Sequence, residues 1–166
     1  DTVYIAHVLA LMSGIDPGRV VLGALYHDCG EIFTGDMPTP IKYYDPQLRE
    51  SYKKVEEMAA KQLLEMLPED LREAYQGHFF EEDTEICKLV KAADKLSALI
   101  KCLEELRAGN QEFRNARDAN LAYLKEMKLP AVDRFLWEFL PAYEMTLDQL
   151  SLNPLPNSEI RSERTK

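Results

Sequence analysis

Val20-Val21-Leu22-Gly23-Ala24-Leu25-Tyr26-His27-Asp28 decides how this chain is read. The run is apolar until its last two residues, and Cys29-Gly30-Glu31 follows at once. Asp16-Pro17 supplies a start signal, with Asp16 as N-cap and Pro17 at the first helical position. The spacing therefore predicts a greasy helix over 17–29, closed by Gly30 in a left-handed conformation. Asp28 then falls in the last turn, where the helix dipole disfavours an anion, and Glu31 adds a second negative charge. Polar groups carried into a dry place need partners. A divalent metal ion is one partner that suits an imidazole beside a carboxylate. The other reading is an ordinary hydrogen-bonded boundary pair.

Outward from this helix the pattern is helical throughout. Residues 2–13 form an apolar helix ending at Gly14. Residues 30–45 hold two glycines and two prolines and read as a loop or short turns. Asp45-Pro46 caps an amphipathic helix over 46–66, with Tyr52, Val55, Ala59, Leu63 and Met66 at core spacing. Pro68 starts a short helix to about Tyr75, followed by a polar loop from Gln76 to Asp83. Thr84 opens a helix to Ala108, with Ile86, Leu89, Ala93, Leu96, Ile100 and Leu103 as its core stripe. Asn110 caps the next, to about Met127, and Pro130 begins the last, which Pro141 ends or kinks. The expectation is an all-α, single-domain bundle of about six to seven helices over residues 1–150. From Ser151 hydrophobicity collapses, and 151–166 reads as a flexible tail.

The chain has 166 residues, enough for one domain with a real core. Its net charge of −9 argues against general binding of DNA, RNA or anionic membrane, because phosphate backbones demand a basic surface. One small phosphate compound remains possible where a metal and a few lysines supply local positive charge. Cys29, Cys87 and Cys102 have no zinc-binding or redox spacing and read as reduced, packed thiols of a cytoplasmic protein. Nothing resembles a signal peptide or membrane span. The chain begins with Asp and opens directly into a helical pattern, as the remainder of a longer protein would.

Each further candidate has a chemical and a plain reading. Asp94, in Lys91-Ala92-Ala93-Asp94-Lys95, lies at the edge of the apolar stripe. It is either a third metal ligand or a boundary aspartate paired with Lys91. Glu31 either shuttles protons beside a metal-bound water or is a solvated residue past a helix end. In the stiff loop Thr34-Gly35-Asp36-Met37-Pro38-Thr39-Pro40, Asp36 either accepts from a sugar hydroxyl or makes a local turn bond. Lys42, Lys91 and Lys95 are phosphate contacts or ordinary paired lysines. His7 packs on the flank of the first helix, and His78 carries no assigned role.

Tyr26-His27-Asp28, Glu31, Thr34 to Tyr43, Lys91-Ala92-Ala93-Asp94 and Lys101 to Leu106 together resemble the bacterial HD-domain 5′-deoxynucleotidases, the YfbR-like family. The likeness runs in order from about residue 1 to 150. It implies an HD-type all-α fold, one divalent metal ion (Mn, Co, Mg or similar) and a homodimer. It implies removal of phosphate from deoxyribonucleoside 5′-monophosphates. The family's metal pair matches His27 and Asp28, its distant aspartate Asp94, its catalytic glutamate Glu31 and its sugar-contacting aspartate Asp36. A further metal histidine and an Arg-Trp pair of the family lie upstream of residue 1. A glutamate that the family places near the sugar matches Glu81 or Glu82. Two other readings stand beside this one: an HD hydrolase of another nucleotide, and a non-catalytic nucleotide-binding scaffold.

Overall fold

Local capping chemistry sets the helix starts. In the computed structural model, which describes residues 1–35 and 45–152, the Asp16 carboxylate accepts from Gly18 N at 2.9 Å and opens helix α2, Pro17–Tyr26. Asp45 accepts from Gln47 N and Leu48 N and opens α4, Pro46–Met66. Asp83 does the same for α6, Thr84–Arg107, through Glu85 N and Ile86 N. Each carboxylate satisfies backbone donors that a helix start leaves unpaired. α1, Thr2–Ser13, ends at Gly14, whose φ of 68° is the left-handed closing conformation.

α6 is the centre of the molecule. It packs against α1, α2 and α7, Arg114–Glu126, while α8, Pro130–Glu138, closes against α1. Ile86, Leu89, Ala93, Leu96 and Ile100 are buried as the stripe predicted, together with Val90, Ala92, Leu99 and Cys102. Leu9, Val20, Leu124, Val132 and Phe135 meet them from the neighbouring helices. Leu96 is fully buried in this cluster. Leu96→Ala is expected to lower unfolding stability by about 2–5 kcal/mol, read from urea denaturation, because the cavity cannot collapse between so many helices.

The remaining elements are short or peripheral. α5 spans Glu69–Phe79, four residues beyond the predicted end, so Gln76 to Phe79 is helix rather than loop. Asn110 caps a 3-10 turn, Gln111–Phe113, that feeds α7. Pro141 does break the last helical stretch: α8 stops at Glu138, and α9, Leu140–Tyr143, restarts with the proline in its first turn. α10 is Leu147–Leu152, so the first two residues of the expected tail are helical, and 153–166 lie outside the described residues. The described residues contain no strand, and no described helix is long and apolar enough to cross a membrane.

Several expectations need correction. α2 ends at Tyr26, and Gly30 is right-handed, with φ −62° and ψ −27°. Its glycine answers a different demand. A Cβ there would lie 2.6 Å from the Glu56 carbonyl oxygen on α4, so a side chain would force the backbones apart. Within residues 30–45, read as a loop or short turns, Glu31–Thr34 forms the one-turn α3. Val55 and Met66 are exposed: α4 lies against α3 and α5 and buries only Ala59 and Ala60 fully. Cys87 is also exposed rather than packed.

Candidate active site

The chain turns sharply as it leaves α2. Cys29 N donates to Tyr26 O at 3.0 Å, and Glu31 N donates to Asp28 O at 2.9 Å. These tight turns bring His27, Asp28 and Glu31 to one cleft between α2, α3, α4 and the end of α5. The cleft has a volume of about 200 Å³. It is wetter than the apolar run predicts: the Asp28 side chain is 54% exposed and that of His27 24%. No polar or charged residue among the described ones is fully buried.

His27 is held by its backbone. Nδ1 lies 2.8 Å from the Ala24 carbonyl oxygen, and a carbonyl can only accept, so Nδ1 carries the hydrogen. That fixes the ring and aims Nε2 at Asp28 Oδ2, 2.8 Å away. Two lone pairs do not face each other at that distance without a positive charge between them, whether proton or metal. Burial works to lower the His27 pKa. The Asp28 hydrogen bond and charge, the Ala24 carbonyl and the charge of Asp94 outweigh it and raise the imidazole above its ordinary value.

Asp94 stands on α6 and adds to the field at His27. Its carboxylate pairs with Lys95 at 3.4 Å rather than with Lys91. Lys91 turns toward α7, its Nζ 5.6 Å from the Tyr123 ring centre. Glu31 opens α3 and lines the cleft. Asp36 and Lys42 lie outside the described residues. Glu81 is engaged by Arg19 at 2.9 Å, and Glu82 is exposed. His7 is exposed on α1.

The donor chemistry suits a divalent cation: one imidazole nitrogen and one carboxylate oxygen converge, and a second carboxylate acts on the same ring. Among the described residues, no group of three or more His, Cys, Asp or Glu is drawn close enough to hold a metal. Of the expected ligands, His27 Nε2 and Asp28 Oδ2 lie together at 2.8 Å.

Sequence reasoning missed what α4 and α5 contribute. Lys53, Glu56, Glu57 and Ala60 form one wall of the cleft, and Phe79 and Phe80 another. The Tyr52 hydroxyl donates to the Gly35 carbonyl at 2.6 Å, which fastens α4 to the end of α3. Gly35 itself has φ 69°, the freedom expected of it. Behind the cleft, Tyr26 packs on Tyr75, His78 and Phe79, with the His78 ring stacked at 6.1 Å. No periodicity marks these residues; only the packing of α4 on α3 and of α5 on α2 brings them in.

The described residues thus form an α-helical bundle with a His-Asp pair just past its second helix, an aspartate on its central helix and a glutamate opening the next turn. The family described as 5′-deoxynucleotidase YfbR-like matches residues 1–143, and the chain belongs to that family. A Vibrio vulnificus (strain YJ016) protein named 5′-deoxynucleotidase is 43% identical over 156 residues, covering 89% of this chain and 80% of that one. A 5′-deoxynucleotidase of Erwinia tasmaniensis is 42% identical over 162 residues, covering 91% and 80%. One of Vibrio cholerae is 40% identical over 156 residues, covering 89% and 80%.

Proposed function

We propose that this protein is a divalent-metal-dependent phosphomonoesterase that removes the 5′-phosphate of deoxyribonucleoside monophosphates. The observation that carries the reading is the convergence of His27 Nε2 and Asp28 Oδ2 at 2.8 Å beside Glu31, in a chain whose relatives are named 5′-deoxynucleotidases. His27, Asp28 and Asp94 are the residues that would hold the ion. When bound, such an ion (Mn, Co or Mg) lowers the pKa of water and screens phosphate charge.

The chain's own groups supply the rest. The Ala24 carbonyl keeps Nε2 of His27 facing the cleft. Glu31 accepts a proton from the attacking water or returns one to the leaving 5′-oxygen. The new P–O bond forms as the bond to the 5′-oxygen breaks, and the nucleoside leaves with that proton. Asp36 reads the deoxyribose. The working form is a cytoplasmic homodimer. Exposure of Tyr4 (80%) and Leu11 (60%) on one face of α1 supports a partner surface.

A substrate panel tests the reading: deoxy- and ribonucleoside monophosphates, triphosphates and cyclic dinucleotides, with protein expressed from its whole gene. Phosphate release confined to the deoxy monophosphates is the expected result. Release from triphosphates or cyclic dinucleotides instead would make it an HD hydrolase of another substrate. Release from none would favour a binding scaffold.

A further inference from the structure

We propose that Lys53 receives the phosphate group of the substrate at the cleft, a role that rests on the phosphomonoesterase reading above. The described residues lining the cleft include four carboxylates, Asp28, Glu31, Glu56 and Glu57, and a single lysine or arginine, Lys53. A phosphate dianion approaching such a wall, on a chain of net charge −9, is repelled unless local cations reverse the field. A lysine answers that need, as a compact charge with three donors on a flexible stem.

The position of Lys53 is set by its neighbours. Tyr52 is fastened to the Gly35 carbonyl, and the Glu56 backbone lies against Gly30. Lys53 sits between these two attachments, on the helix that packs against α3, and lines the cleft with Glu31. Its ammonium is only loosely paired: the contact with Glu57 is 3.7 Å long, and the lysine side chain is 70% exposed. An i,i+4 pair of that length in solvent is worth little and yields easily to a dianion. Among the described lysines of α6, Lys95 pairs with Asp94 and Lys91 lies over Tyr123.

The test compares Lys53→Met and Lys53→Arg with the parent, using deoxyadenosine monophosphate turnover and calorimetric binding of inorganic phosphate to metal-loaded protein. Lys53→Met is expected to raise KM and weaken phosphate binding, each about tenfold, with kcat within about twofold, and Lys53→Arg to restore most of both. Unchanged KM and phosphate affinity in Lys53→Met would overturn the proposal. So would a loss confined to kcat, which marks a structural disturbance. If the parent hydrolyses no monophosphate, the phosphomonoesterase reading fails on its own. Phosphate binding then still decides Lys53, and equal affinity in parent and Lys53→Met overturns it.

Discussion

Glu31→Gln is expected to bind metal and deoxynucleotide as the parent does, yet to lose about a hundred- to ten-thousandfold in kcat. The substitution keeps the shape of the side chain and removes its ability to carry a proton. Glu31 opens a one-turn helix whose start is set by the Glu31 N to Asp28 O bond and whose end is set by Gly35 N donating to Glu31 O at 2.8 Å. Both bonds involve the backbone, so the change leaves α3 in place. Binding is read by calorimetry and turnover by phosphate release. Near-parental turnover would remove Glu31 from the chemistry and leave it a residue of the cleft wall.

The second large effect is expected at the pair itself. His27→Ala removes the one imidazole among the described residues of the cleft and leaves Asp28 without the partner that now lies 2.8 Å away. Metal content after purification should fall to background, and turnover with it. A readout independent of activity exists, because a ligand that binds only the folded state stabilises it by about 2.7 kcal/mol at a hundred times its dissociation constant. The parent's melting temperature should rise on adding Mn²⁺, and that of His27→Ala should not. A variant that still gains stability from metal would place the ion elsewhere.

Much of this architecture was readable from local chemistry. Asp16, Asp45 and Gly14 mark helix ends through bonds to their own neighbours, so short-range signals suffice. The α6 stripe was readable because a central helix buries most of its circumference, and 3–4 spacing then reports real burial. The errors fall where a residue answers to a distant segment. Gly30 carries the same letter whether it supplies a left-handed cap or makes room for another backbone, and only the Glu56 carbonyl decides between them. Val55 and Met66 keep core spacing on a helix that buries little beyond Ala59 and Ala60.

The same logic divides the site. His27, Asp28 and Glu31 lie within five consecutive positions, so a single turn can gather them and sequence can point to them. Asp94 is far along the chain and is not among the residues that line the cleft; its link to them is the charge it exerts on His27. Lys53, Glu56, Phe79 and Phe80 carry no mark in the sequence. They reach the cleft only because Tyr52 fastens α4 to α3 and because α5 runs on to Phe79 beside Tyr26.

On the proposed reading, His27, Asp28 and Asp94 hold one divalent ion on which phosphate removal depends. The most direct measurement is phosphate release from deoxyadenosine monophosphate, with the metal content of the same sample counted per chain, before and after chelation and again after Mn²⁺ is restored. One ion per chain, loss of release on chelation and recovery on restoring the metal are expected. Release that persists in fully chelated protein would contradict it.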